Sequence, residues 1–524
     1  MIKNQNYDHL YKVYMIIYIY FMILIIARIL FSFSDRGIFT ITPRRFRSYG
    51  CLITVILFVN IILLTIVIER KYFSAVEEIR TGKRNIKTNE HVETQDILDK
   101  DKRSNKDVFT QHESWQTACS YRTTSYFNDK VIVLDQAPFV DYTKQMVCLE
   151  NGNIASFADR FVLFKNALLH PTQLRNYRKG GEKIEDVWDQ KEQDEYFDLL
   201  PGYFSVPCTM APSFKFESPD HLIDWQNALS CYTFNKTNVY KFHQVSGLTI
   251  AIQRYEYVNL YHTMTDFYNA FVLMLIFGQS SAKVNILFVD AHPVGTLDEV
   301  WSTLFSKYIR AGRLTNTTFF SSLVWGMLGY FSPLNSHELL QVPYLTEFRE
   351  FVLSKHYISA SHVINCQNIN VVIIWRRDYV AHPRNKQGQV VRKFDNEHEI
   401  VQQVTKWLPS KSNVTGIQLD SMHMKDQLEI IAQCDILIGM HGAGLSHILF
   451  LPSSSGVIEF KPSYSNPSLR HFEAMSKWRK IPYSIWINND PSNERQFYRT
   501  YIPADVIESE VKSMYSKICH RRSF

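Results

Sequence analysis

Two stretches of this sequence hold side chains whose types and spacing suit chemistry. In 434–460, "CDILIGMHGAGLSHILFLPSSSGVIEF", two apolar runs bracket a loop of histidine, glycine and alanine. Short apolar runs bounded by turn residues read as buried strands. Gly442, Ala443 and Gly444 follow the first run and open a short helix. Glycine has no Cβ, so a ligand can approach its backbone closely. Free N–H groups at a helix start then favour an anion such as a phosphate. A tight strand–helix turn that needs glycine only for packing has the same pattern. Glu459, at the end of the next strand, adds a carboxylate that could accept both hydroxyls of a ribose. Loop and carboxylate together point to a nucleotide. The spacing is not G-x-G-x-x-G, and no G-x-x-x-x-G-K-[ST] occurs, which disfavours a dehydrogenase or a P-loop ATPase.

The second stretch is "NLYHTMTDFYNAF". It sets His262 and Asp266 four residues apart, on one face of a helix. At a helix start lining a cleft, either could take a proton from a hydroxyl. A hydrogen bond along the helix with no chemistry is the alternative.

The elements that must position these groups follow from periodicity. Strand-like "KVIVLDQ" and "SFADRFVLF" come first, then an alternation of "LTIAIQR", a helix over 260–277, "VNILFVD" and a helical period over 297–309. The alternation repeats with "NVVIIW" (370–375), a helix over 396–407, "GIQL", a helix over 424–432 and "ILIG". A helix after His441, "GVIEF", a helix near 469–478 and "YSIWI" complete it. Strands separated by helices imply right-handed crossovers and parallel sheets. The expected fold class is α/β, with two Rossmann-like halves facing a cleft and ligands outside the carboxyl ends of strands.

Composition agrees with a folded chain. The 524 residues suffice for two domains, and 46% apolar with 21% charged residues is ordinary. A net charge of +6 suits anionic small ligands and is too weak to argue for nucleic acid. Segments 13–33 and 49–68 are each long enough to cross a bilayer. The second is uninterrupted by charge and follows Arg44, Arg45 and Arg47, so the rest of the chain is expected on the lumenal side. No small-residue cleavage site follows, which reads as an uncleaved signal-anchor. Three sequons, at Asn235, Asn316 and Asn413, lie beyond it. Seven later cysteines (Cys119, Cys148, Cys208, Cys231, Cys366, Cys434 and Cys519) form no C-x-x-C pair, so a few disulfides and at least one spare thiol are expected. The domains read as 1–48, a segment with a possible extra span at 13–33; 49–68, the anchor; 69–108, a charged stem; 109–355, the acceptor lobe; 356–490, the nucleotide-sugar lobe; and 491–524, a helical extension.

The stretch from "MKDQLEIIAQCDILIG" through "GVIEF" resembles the signature of glycosyltransferase family 61. "RYEYVNLYHTMTDFYNA", "FVDAHPVGTLDEVWSTLFS" and "RRDYVAHPR" are similar to its β-1,2-xylosyltransferase branch. The resemblance covers about 248–487. It implies a two-lobed GT-B-type fold, a type II Golgi or ER membrane protein, and transfer of xylose from UDP-xylose to the core β-mannose of N-linked glycans. Such transfer inverts the anomeric carbon and needs one base. Asp266 is the expected base with His262 as its partner, and Glu256 is a third candidate. His441 is expected to contact the donor, and Asp290 and His292 the acceptor hydroxyls. No metal or other cofactor is expected, since the one D-x-D, Asp99-Lys-Asp101, lies in the stem. The diphosphate then needs cations: Arg377 and Lys425, with Arg384 and Arg392 behind them. The rivals are an O-linked N-acetylglucosaminyltransferase of the same family and an inactive lumenal glycan-binding protein.

Overall fold

The parallel crossovers expected from the sequence form the whole of one large sheet and part of another, in which Phe161–Leu169 and the strands before it pair antiparallel. The computed structural model describes residues 146–157, 160–188, 190–211, 221–327, 329–466 and 468–520. The two apolar segments, the stem and "KVIVLDQ" lie outside the described residues. Among the described residues no helix is long and apolar enough to cross a membrane.

The first sheet has nine strands: β1 (Met146–Leu149), β2 (Ile154–Phe157), β3 (Phe161–Leu169), β4 (Phe204–Pro207), β5 (Leu229–Tyr232), β6 (His243–Ile252), β7 (Val284–Phe288), β8 (Lys307–Arg310) and β9 (Thr318–Trp325). Its path is β1-β2-β3-β9-β6-β7-β8, with β4 pairing to β3 and β5. From β9 through β6 and β7 to β8 the pairing is parallel. Helix α1 (Leu260–Ile276) crosses from β6 to β7, and α2 (Asp298–Leu304) from β7 to β8. The helical period expected over 297–309 therefore stops early. Tyr308 and Ile309 pair with Ile286 and Leu287, and joining the sheet edge outweighs the local helical pattern.

Helix α3 (Leu345–Lys355) leads to the second sheet. Its strands are β10 (Asn370–Ile374), β11 (Asn413–Ile417), β12 (Ile436–Met440), β13 (Gly456–Lys461) and β14 (Tyr483–Ile487), all parallel, in the order β11-β10-β12-β13-β14. Helices α4 (Glu397–Lys406), α5 (Met424–Ile431), α6 (His471–Trp478) and α7 (Ala504–Cys519) cover it. The direction of winding reverses between β10 and β12, which opens a crevice at their carboxyl ends.

One buried apolar cluster joins the halves, running from Ile250 and Phe267 through Phe348 to Leu428 and Leu449. Helix α7 is no appendage. It buries Ile507, Val511, Met514 and Ile518 against the second sheet, and a Cβ on Gly456 of β13 would meet Met514 Sδ at 2.3 Å. A disulfide between Cys366 and Cys519 pins it, a second joins Cys208 to Cys231, and Cys434 is a buried thiol. Asn235, Asn316 and Asn413 are all exposed.

Candidate active site

The crevice is lined from strand ends outward. Alternation along an extended chain puts Ile374 and Arg376 on one side and Trp375 on the other. Trp375 packs into the core against Phe394, and Ile374 lies under the glycine loop. A Cβ on Gly442 would sit 2.1 Å from Nη1 of Arg376, and one on Gly444 would sit 3.2 Å from Cγ2 of Ile374. Both glycines make room for a side chain, and what Gly442 admits to the backbone is a guanidinium. Arg376 Nε donates to the Val391 carbonyl at 3.1 Å. Burial and the neighbouring Arg392 lower its pKa to about 10.

Arg392 itself sits at a left-handed φ of 61°, and burial lowers its pKa too. Its Nε is buried with no hydrogen-bond partner. Lys461, buried at the end of β13, donates to the Leu469 carbonyl at 2.7 Å, and burial lowers its pKa. Three cations thus gather at one sheet edge, held partly desolvated beside one another. That arrangement costs free energy until an anion arrives to share it.

His441 follows β12, and its Nδ1 pairs with Oε1 of Glu459, while Tyr483 donates its hydroxyl to Oε2 at 2.6 Å. Both carboxylate oxygens are therefore engaged. Glu459 orients the His441 ring and does not offer the free pair of oxygens expected for a ribose. With Nδ1 committed, Nε2 is the nitrogen left to a ligand.

The first half contributes the start of α1. Asn259 caps it, its side chain accepting from the Tyr261 N–H. His262 is half-buried, 5.3 Å from the Tyr255 ring and 6.0 Å from that of Tyr330. Burial lowers its pKa, so the ring is neutral and able to accept a proton. Nearby, Nδ1 of His471 and Nε2 of His337 are 2.7 Å apart, and the rings of Tyr261 and His471 are 4.5 Å apart. Burial, then His337, His441 and His262, lower the His471 pKa to about 3. Four histidines thus converge where the halves meet. Among the described residues no group of histidine, cysteine, aspartate and glutamate has a metal-holding arrangement.

Asp266 departs from expectation. It is buried, and its Oδ1 lies 3.0 Å from where a Cβ on Gly329 would stand. Burial raises its pKa well above the carboxylate range, against the pull of Arg254. An acceptor reaches a deeply buried carboxyl less readily than the half-buried ring of His262.

Three expected cations also lie elsewhere. The Arg377 side chain is 55% exposed and paired with Glu397. That of Lys425 is 56% exposed, pairs with Glu429 at 3.7 Å, and lines a cavity with Lys355 and His356. Arg384 reaches from the second half into the first, to Glu195 at 3.0 Å, Glu256 at 3.1 Å and Glu192 at 3.6 Å. His382 stands 3.4 Å from Glu195, and Tyr257 donates to the Ala381 carbonyl at 3.4 Å. Burial raises the Glu195 pKa to about 7, with Arg384 opposing, and burial raises that of Glu256 as well.

Asp290 and His292 do not face a ligand either. Asp290 is wholly buried against Arg254, at 2.7 Å, and Arg254 also binds Asp298 at 2.8 Å. His292 is 3.0 Å from the Arg254 carbonyl. Burial alone would raise the Asp290 pKa, but Arg254 overrides it and holds it at about 2. A group whose folded pKa lies below its ordinary 3.8 stabilises the fold above that value and stops doing so as pH falls through 2. Asp290→Asn, which leaves a buried guanidinium short of its partner, should cost about 3–5 kcal/mol in urea unfolding. A loss within about 0.5 kcal/mol would refute this account of the pair.

Sequence reasoning missed Arg376, Lys461, His471 and Glu195. Strand parity could have found the first two, since Arg376 shares the face of Ile374 and Lys461 that of Glu459.

A doubly wound parallel sheet with a partly desolvated cationic edge, beside an imidazole at the start of a helix of the first half, is an arrangement suited to an anionic ligand. Residues 260–458 match the family model described as Glycosyltransferase 61. A β-1,2-xylosyltransferase of Arabidopsis thaliana is 26% identical over 417 residues, covering 66% of this chain and 74% of the relative. One from Oryza sativa subsp. japonica is 27% identical over 343 residues, covering 58% and 63%. An EGF domain-specific O-linked N-acetylglucosamine transferase of Gallus gallus is 28% identical over 242 residues, covering 44% and 42%.

Proposed function

We propose that the protein is an inverting, GT-B-type glycosyltransferase that moves xylose from UDP-xylose to the core β-mannose of N-linked glycans. The observation that carries the reading is the clustering of half-buried Arg376 and Arg392 with buried Lys461 at the carboxyl edge of the second sheet. These cations suit the diphosphate leaving group, and they supply positive charge where a metal would otherwise be needed. His262 takes the proton of the acceptor hydroxyl as its oxygen bonds to the anomeric carbon. The bond from that carbon to UDP breaks with its electron pair, and the diphosphate oxygen carries the new charge to the three cations. Asp266 lies buried one helical turn beyond His262. The choice of xylose follows the longer match to the xylosyltransferases, 66% of the chain against 44% for the N-acetylglucosamine transferase. The anchor read at 49–68 would hold the site in the lumen of the Golgi or ER, as a type II protein.

The test is product mass. The full chain in detergent, with EDTA present, is offered UDP-xylose or UDP-N-acetylglucosamine and a biantennary N-glycan. A pentose added from UDP-xylose is the expected outcome. Transfer of N-acetylglucosamine, or no transfer to the glycan, refutes the xylosyl reading.

A further inference from the structure

An acceptor whose reacting sugar sits inside a branched oligosaccharide must be held beyond that sugar. Beside the two-stranded ribbon of Leu174–Arg175 and Asp198–Leu199 lies an open groove of about 550 Å³ lined by Arg175, Asn176, Tyr177, Gln193, Tyr196 and Asp198. We propose that this groove is a subsite for a neutral oligosaccharide arm of the acceptor. The inference rests on the glycan-transfer reading above.

Three observations support it. The groove is built rather than accidental. Arg175 pairs with Asp198 across a two-stranded ribbon, and Asn176 Nδ2 donates to the carbonyls of Asp194 at 3.1 Å and Tyr196 at 2.8 Å, fixing both walls. Its lining also matches sugar chemistry. Tyr177 is 80% exposed, and its ring lies 4.7 Å from the Arg178 guanidinium, which steadies a flat apolar face of the kind a pyranose ring covers. Gln193, Arg175 and Asp198 are exposed planar groups able to pair with adjacent hydroxyls. Finally, the groove adjoins the site. Tyr196 bridges to Asp290 just past β7, and the preceding residue, Glu195, is tied through Arg384 to Glu256, in the loop that leads to His262.

The test uses the full chain in detergent, without donor, titrated calorimetrically with a free biantennary N-glycan. The glycan should bind, and Tyr177→Ala and Gln193→Ala should each weaken it about fivefold or more. The donor KM in the two variants should be unchanged. If both variants bind the glycan as tightly as the unaltered protein, the groove is overturned while the transfer reading stands. If an unglycosylated peptide binds and Tyr177→Ala abolishes it, the groove serves polypeptide and the proposal is likewise overturned. Failure of the transfer reading would instead appear in the product assay, as no sugar added to glycan.

Discussion

Arg376→Ala is expected to lower kcat by about 100-fold or more, the scale on which a single preorganised charge or donor at a reacting group acts. Arg376 is the cation that the glycine loop is shaped around, and its guanidinium passes where a Cβ on Gly442 would stand. Gly442→Ala should therefore reproduce much of the loss without touching the arginine, because the new methyl group displaces Nη1. The control is Arg377→Ala. That side chain points to solvent and pairs with Glu397, so its loss should change kcat/KM less than about twofold. Steady-state kinetics with the nucleotide sugar, and titration with UDP alone, would read all three. If Arg377→Ala proves the damaging change and Arg376→Ala is silent, the diphosphate sits on the outer face of the loop and the assignment fails.

The second large effect belongs to His262. His262→Asn should lower kcat by about 10²- to 10⁴-fold, as expected when a general base is removed. The pH profile carries the sharper test. Burial lowers the His262 pKa from its ordinary 6.5, so the ring loses basicity only in more acidic solution. In the unaltered enzyme the acidic limb of kcat/KM is therefore expected below pH 6.5, with rate falling as pH falls and the ring protonates. In His262→Asn that limb should vanish from the residual activity. A limb that survives unchanged would transfer the base role to Glu256, whose raised pKa also suits proton acceptance.

Much of the second sheet is legible in the sequence because its strands, buried at β10, β12 and β13 and half-exposed at the edges, all read as short runs of β-branched and apolar residues. "YSIWI" and "ILIG" fall on β14 and β12 within a residue. The helix ends near Trp407 and Trp478 also come within a residue. Side-chain direction is harder to read. The loop after β10 carries two adjacent arginines, and only the strand's parity, fixed by Trp375 packing inward, tells which enters the crevice. The depth of Asp266 was not legible, because helical spacing records which face a residue shares and not how deep it lies. Glu195 lies in the stretch before 203, and its importance depends on Arg384, 189 residues later in the chain, arriving beside it. No local pattern encodes such a meeting.

The bond between Cys366 and Cys519 joins the point where the chain enters the second sheet to the end of its last helix. The intervening residues, with every strand of the donor-side sheet, form a closed covalent ring. Tension applied along the chain from before Cys366 to beyond Cys519 passes through the sulfurs and bypasses the parallel ladder. Under load, the first half should therefore unravel while the ring, with its nucleotide crevice, keeps its shape.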